Sequence, residues 1–252
     1  MPYLYRIAYD GALFYGFTGH PNSVETKIRP AFGEILGKGS RTDPGVSAVA
    51  NVVMAREKIR LELLNSRLPR GVWAWAWAEV DEGFNPRRAL WRRYLYVAPY
   101  WGEDLQAMRQ AAELFKGTHD YASFIRGGRD TVTTIFDIEI YIRDDLLYIH
   151  YIGKGFRNKM LRKITWAILG VGRGALDVGY ISQLLKEPRP GAVPHAPAEG
   201  LLLLDIHYDV SFHIDLKALR SAYLHFLKRW RSLRAYAATY RAAGEALAAF
   251  EE

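Results

Sequence analysis

Hydrophobic positions along the chain fall into short strand-like runs and longer segments of helical spacing, and glycine or proline marks most of the boundaries. Tyr3 to Tyr9 reads as a strand closed by the turn pair Asp10-Gly11. Ile28, Phe32, Ile35 and Leu36 recur at helical spacing and predict a helix that runs to Leu36, where Gly37 stops it. Pro30 fits best in the first turn of that helix and would kink one begun as early as Val24. Ala48 to Ala55 reads as a buried strand and Leu61 to Ser66 as a helix broken by Pro69 and Gly71. From Val72 to Val80, Trp73, Trp75 and Trp77 alternate with alanines, a period of two that puts all three indoles on one sheet face. Core packing and a base-stacking surface are both open readings of that face.

A second unit begins near Ala89 with a strand through Arg92 to Val97, followed by a helix from Leu105 to Phe115 that Gly117 ends. Thr133 to Ile142 and Leu146 to Ile152 resemble a hairpin joined at Arg143-Asp144-Asp145. Phe156 to Val171 reads as a helix capped by the glycines at 170, 172 and 174, and Leu201 to Tyr208 makes the last strand. The order strand, helix, strand, strand, helix, strand fits a ferredoxin-like unit, and the first half reads as a shorter version of it. The expected class is therefore α+β, with two ferredoxin-like or RRM-like units, mostly antiparallel sheets and a central cleft. The units span residues 1–88 and 89–210. A tail, 211–252, is rich in Ala, Leu, Arg and aromatics with no proline, and predicts one or two helices over Leu216 to Ala249.

Composition narrows the chemistry. At 252 residues, half of them hydrophobic, the chain can bury a substantial core. It contains no cysteine, which excludes disulfides, thiolate catalysis and every cysteine-based metal centre. The seven histidines show no metal-ligand spacing, and no metal is expected. Phosphate-binding loops and a Gly-x-Ser-x-Gly elbow are absent, and the glycines at 170 to 174 follow a helix rather than open one after a strand, so no nucleotide cofactor is expected. No apolar run reaches the roughly 20 residues of a membrane span. Met1 to Ala12 lacks a secretion pattern, so a cytoplasmic place is expected. The net charge of +7 with Arg in excess of Lys favours a polyanionic partner.

Three segments could carry reactive groups. Gly39-Ser40-Arg41-Thr42-Asp43-Pro44-Gly45-Val46 is a polar, glycine-punctuated loop between a helix and a buried strand, and Asp43 there is either a presented carboxylate or part of an ordinary turn. Arg162 lies opposite the apolar stripe of a helix that is apolar on nearly all sides, so its guanidinium is expected to be desolvated and to need a carboxylate. Asp120 and Asp137 are structural candidates for that partner, and a catalytic aspartate is the functional one. Tyr94 and Tyr96 share one face of a strand that also carries Arg92 and Arg93, a mixture suited to an unstacked base or to plain core packing.

Taken together, Arg41-Thr42-Asp43-Pro44-Gly45-Val46, Arg93-Tyr94-Leu95-Tyr96, Gly117-Thr118-His119-Asp120-Tyr121, Met160-Leu161-Arg162 and Ala196-Pro197-Ala198-Glu199-Gly200-Leu201 resemble the tRNA pseudouridine synthases of the TruA family, in the family's order and approximate spacing. Tyr9-Asp10-Gly11 and Phe14-Tyr15-Gly16-Phe17 are similar to its opening strand and turn, and the likeness covers about residues 3 to 208. Ser47 stands where the family has histidine, Phe17-Thr18-Gly19-His20 and Phe84-Asn85-Pro86-Arg87 replace family patterns, and Thr133 sits where arginine is common. The resemblance implies conversion of uridine to pseudouridine in the anticodon stem-loop of tRNA, at positions 38, 39 and 40 in tRNA numbering, on an extruded base. It implies Asp43 acting on the ribose as nucleophile or base, Arg162 paired with it, and Tyr94 packing on the base and taking the C5 proton. Arg41 and Thr42 would help to hold substrate. An isomerisation needs no redox cofactor and no ATP. A homodimer with each tRNA lying across both subunits is expected. The competing readings are a non-catalytic RNA-binding protein on the same scaffold and a glycoside hydrolase using Asp43; the latter lacks a second, paired carboxylate.

Overall fold

The computed structural model describes residues 1–128 and 130–248; Arg129 and the last four residues of the expected tail lie outside the described residues. Ten strands and six helices follow one another along that chain: β1 (Tyr3–Tyr9), α1 (Val24–Phe32), β2 (Ile35–Lys38), β3 (Ser47–Ala55), α2 (Leu61–Arg67), β4 (Val72–Glu79), β5 (Trp91–Pro99), α3 (Leu105–Leu114), β6 (Gly117–Asp120), β7 (Val132–Arg143), β8 (Leu146–Gly153), α4 (Met160–Gly172), α5 (Val178–Lys186), β9 (Leu201–His207), β10 (His213–Ile214) and α6 (Leu216–Ala248). The strands form one sheet in the order β10-β4-β1-β3-β9-β5-β8-β7-β6, with β2 pairing on β3. Every pairing is antiparallel except β3 with β9, a short parallel contact that sets Ser47 and Ala48 opposite Leu202 and Leu203. The two halves are thus joined edge to edge in a shared sheet.

Local chemistry explains most boundaries. Ser23 caps α1 through Thr26 N–H, and Gly33 ends it with φ of 69°, four residues earlier than the Gly37 stop that the helical spacing predicts. Ile35 and Leu36 therefore enter β2, because a short apolar run fits either period and the left-handed glycine decides. Pro30 lies inside a helix that does begin at Val24, in its last turn. The β7–β8 hairpin turns on Asp144 and Asp145, both at positive φ (51° and 59°), the geometry a two-residue loop needs to match strand twist. α4 starts at Met160 rather than at the expected Phe156, since Lys159 sits in the left-handed region (φ 59°) and turns the chain there. β6, α5 and β10 have no counterpart in the sequence reading. β6 and β10 are too short to show periodicity, and α5 lies in a stretch the pattern left open.

The main core lies under α1 to α5, and a separate apolar cluster covers the other face of β4. There Trp75, nine-tenths buried, donates its indole N–H to Val49 O (2.8 Å), and Ala218 and Ala222 of α6 close over it. Trp73 packs at tilted angles against His225 and Phe226, so Trp73 and Trp75 form the seat of the C-terminal helix, while Trp77 stacks on His213 of β10. α6 is one helix of 33 residues, about 50 Å long at 1.5 Å per residue. It runs antiparallel to β4, from Trp77 toward Trp73, and is latched where β1 ends: Asp10, buried, takes His225 Nε2 at 3.0 Å and Arg229 Nε at 3.3 Å.

The end of β1 is packed tightly against the segment that leads into β3. A Cβ on Gly11 would stand 2.3 Å from the carbonyl carbon and oxygen of Val46, and Gly11 N–H donates to Ser47 Oγ (2.9 Å). Gly11→Ala is expected to destabilise the protein by about 1–3 kcal/mol, the usual range for overpacking against backbone that cannot step aside. Gly83→Ala, with open space at its Cβ, is the control. Urea denaturation of the two variants checks this; equal midpoints would show that the contact is relaxed without cost.

Candidate active site

The loop between β2 and β3 is shaped by its own sequence. Asp43-Pro44-Gly45-Val46 closes a turn with Val46 N–H donating to Asp43 O (3.2 Å); proline supplies the first central φ and Gly45 the positive one (88°). Phe17 N–H donates to Thr42 O (3.0 Å), and Gly16 (φ 75°) lets the backbone come close, since a Cβ there would lie 3.1 Å from the same oxygen. Asn51, fully buried in β3, holds Ser40 from both sides: its Oδ1 accepts from Ser40 N–H (3.1 Å) and its Nδ2 donates to Ser40 O (3.0 Å). Nδ2 also donates to Tyr9 OH, whose oxygen lies 2.8 Å from Thr42 Oγ1. A buried polar network that is fully paired fixes one conformation, and this one aims Asp43 outward.

Across the loop, the first turn of α4 presents Arg162. Its NH1 donates to Asp43 Oδ2 at 2.7 Å, its Nε to Ala196 O at 2.7 Å, and its NH2 lies 2.8 Å from His195 Nδ1. The arginine side chain is 8% exposed and the aspartate 20%, so the guanidinium is desolvated but matched by a carboxylate and neutral acceptors, as such a group requires. Asp137 and Asp120, the alternative partners, are engaged elsewhere: Asp137 with Lys116 Nζ (3.0 Å) and Asp120 with Ala122 N–H. Lys159 Nζ lies 2.9 Å from His195 Nε2. Burial, then Arg126 and Arg162, push the Lys159 amine below its ordinary range. Burial, then Arg162 and Lys159, likewise lower the His195 imidazole.

Tyr94 forms a further wall. It is 5% exposed, meets Phe156 edge-on at 5.3 Å, and its OH lies 2.7 Å from Ser40 Oγ. Burial raises its phenol above the usual value, partly offset by the Ser40 bond and by Arg92. Tyr96, on the same face, instead donates to Pro197 O (3.1 Å), and burial pushes its phenol up to about 12. Arg41, Thr42, Asp43, Tyr94 and Arg162 line one pocket together with Phe156 to Leu161. Asp43 also borders an open groove of ≈ 590 Å³ that Arg126, Lys159, Pro197 and Glu199 line. The structure therefore brings the predicted site residues to one place. Arg41 is exposed there, while the Thr42 hydroxyl turns inward to Tyr9.

Several contributors escaped the sequence reading. Asn51 carried a signal, an amide within the apolar run Ala48 to Ala55, whereas His195, Lys159 and Ser40 carried none, because only the fold brings them to Arg162 and Tyr94. The positions that depart from the resembled motifs have local work: Ser47 accepts from Gly11 N–H, Thr133 donates to Gly155 O, and Pro86 O accepts from Tyr208 OH. Among the described residues no group of three or more His, Asp or Glu could hold a metal ion. No described helix is long and apolar enough to cross a membrane.

Comparison with known proteins places this geometry. Residues 111–209 match the family described as tRNA pseudouridine synthase. The chain is 64% identical over 255 residues to the tRNA pseudouridine synthase A of Pyrobaculum aerophilum, covering 100% of both chains. It is 62% identical over 256 residues to that of Pyrobaculum calidifontis, again over 100% of each. To that of Pyrococcus furiosus it is 37% identical over 254 residues, covering 93% of this chain and 94% of the other.

Protonating His195 would set a third positive charge against Arg162 and Lys159, so the folded state resists it. A histidine whose folded pKa is lowered contributes stability that is present above its ordinary pKa of about 6.5 and is lost as pH falls through the lowered folded value. The parent is therefore expected to lose more stability between pH 7 and pH 5 than His195→Asn, which keeps an acceptor and does not titrate. Urea midpoints of both proteins at the two pH values test this, and parallel losses would remove His195 as a source.

Proposed function

Because the chain belongs to the tRNA pseudouridine synthase A family and so isomerises uridine to pseudouridine in tRNA, we propose that it acts in the anticodon stem-loop, at positions 38, 39 and 40 in tRNA numbering, with Asp43, Arg162 and Tyr94 as its chemical residues. The observation that carries this reading is the Asp43–Arg162 pair at 2.7 Å, set beside the buried Tyr94 in a pocket lined by cations.

The reaction breaks the bond from N1 to C1′ of the ribose, rotates the freed uracil and joins C5 to C1′. N1 gains a proton and C5 loses one, so the net change is an isomerisation. Asp43 acts on the ribose during cleavage, either as nucleophile or as base, and Arg162 compensates its charge at the mouth of the groove. The Tyr94 ring packs on the detached base, which needs a wall while it turns. Its OH then takes the C5 proton. Ser40 Oγ, 2.7 Å away, offers the phenol's own proton an exit, which suits a buried tyrosine that starts neutral. Arg41 and Lys159 face the side from which a phosphate backbone would approach, and extrusion of a stacked base needs such contacts to hold the distorted RNA. The resemblance further supports a homodimer with tRNA lying across both subunits.

The strand orders support the finer architectural reading. Within residues 89–210 the sheet runs β9-β5-β8-β7, with the short strand β6 added at the edge beyond β7, and within residues 1–88 it runs β4-β1-β3-β2; with β6 set aside, both are last, first, third, second in chain order. That order supports two ferredoxin-like units, with the candidate site at their seam.

Asp43→Asn is expected to abolish pseudouridine formation while tRNA affinity stays within a few fold, because phosphate contacts supply most of the binding. Carbodiimide labelling of pseudouridine in tRNA after incubation, which gives the otherwise mass-silent isomer an alkali-stable adduct that primer extension locates, reads both the loss and the positions modified by the parent, and turnover by the variant would remove the assignment. Tyr94→Phe should keep base stacking but slow tritium release from tRNA labelled at uracil C5, under single-turnover conditions, with Tyr96→Phe nearly unaffected. Parental rates for Tyr94→Phe would leave that residue a stacking role alone, and a larger defect in Tyr96→Phe would move the role to Tyr96.

A further inference from the structure

The C-terminal helix α6 is anchored over only its first half. Ala218 and Ala222 pack on Trp75, Leu219 and Phe226 border that cluster, and the latch to Asp10 ends at Arg229. Because α6 runs toward the end of β4 that neighbours the end of β1, the remainder projects past that edge of the sheet, where Gly11 abuts the loop carrying Asp43. From Trp230 to Ala248 the projecting part is about 28 Å long.

Its surface is patterned. Leu216, Leu219, Tyr223, Phe226, Trp230, Leu233, Ala237, Tyr240 and Gly244 recur at alternating steps of three and four, the period of a helix seam. In the projecting part Trp230, Leu233 and Tyr240 are more than half exposed. The flanks of the seam are basic. Between Leu216 and Gly244 the chain carries Lys217, Arg220, Lys228, Arg229, Arg231, Arg234 and Arg241 and no acidic residue. A seam of this period would suit a second copy of the helix, but in such a pair Arg229 and Arg234, at the flanking positions, would face one another's cations and repel. A partner that supplies regularly spaced negative charge and flat apolar faces removes that conflict. Arg234, stacked over Trp230 at 5.4 Å, already shows the guanidinium and ring pairing that bases and phosphates exploit.

We propose that the projecting half of α6 is a second RNA-binding element, a strut that lies along the substrate tRNA outside the pocket, its arginines on phosphates and its exposed aromatics on unpaired bases. The proposal rests on tRNA being the substrate and adds to it where, beyond the pocket, the RNA is held.

The test uses the full-length protein and an unmodified full-length tRNA transcript, with Kd measured by filter binding over a series of salt concentrations. Lys228→Glu with Arg231→Glu and Arg234→Glu is expected to raise Kd about tenfold or more and to lower the slope of log affinity against log salt by about 2–3, since each of the three lost phosphate contacts removes roughly 0.7–0.9 of a counterion. Trp230→Ala with Tyr240→Ala should weaken binding by about tenfold with the salt slope kept, the signature of lost stacking. Circular dichroism confirms that the helix persists; if the charge reversal unfolds it, Gln at the same three positions gives the same comparison. Parental Kd and slope in both sets would overturn the proposal. So would parental Kd combined with an altered sedimentation mass, which would make the seam an interface between copies. Failure of the parent to form pseudouridine at positions 38, 39 or 40 would count against the anticodon assignment and leave this comparison of affinities standing.

Discussion

An arginine that cannot shed its proton, held out of water, must find an anion, and the meeting of Arg162 with Asp43 is the constraint around which the rest of the site is arranged. The two residues lie 119 positions apart and on different halves of the sheet. Each half contributes rigidity to its own partner: Asn51 and Tyr9 pin the loop before Asp43, and the reciprocal bonds between Arg162 and Ala196, backbone N–H to Arg162 O and Nε to Ala196 O, pin the arginine. Neither group would be held well by a mobile loop, and neither is.

The parallel contact of β3 with β9 makes that meeting possible. It joins the halves at Ser47 and Ala48, immediately after the aspartate turn, and places the segment Ala196 to Gly200 just before β9 on the same rim. Gly200 is required there, since a Cβ would stand 2.6 Å from Val97 O. A hinge between two separate lobes would have left the distance from Asp43 to Arg162 free to vary. A shared sheet does not, and a reaction in which a detached base must turn without escaping benefits from a fixed frame.

Much of this was legible in the chain, for identifiable reasons. Asp-Pro-Gly is a turn whatever surrounds it, the β7–β8 hairpin announces itself through two aspartates between alternating apolar runs, and a helix apolar on nearly every side makes its lone arginine conspicuous. What escaped was decided by single backbone conformations or by distant neighbours. Gly33 ends α1 and hands Ile35 to a strand, and Lys159, left-handed without being glycine, sets the start of α4. His195 meets Arg162 only because β9 returns to the centre of the sheet, and nothing in its local sequence foretells that. The tryptophan strand had two open readings, and the C-terminal segment decides between them: α6 covers Trp73 and Trp75, and His213 of β10 stacks on Trp77.

That cover arrives late. α6 follows Trp75 by about 140 residues, and at synthesis rates of roughly 5–20 residues per second the nascent chain displays Trp73 and Trp75 on an open strand for roughly 7–30 s before the helix that hides them exists. β3 likewise waits for β9 over most of the chain. The first half therefore leaves the ribosome as an apolar, unclosed template, and the order of synthesis, more than the final stability, sets when this protein is most exposed to aggregation.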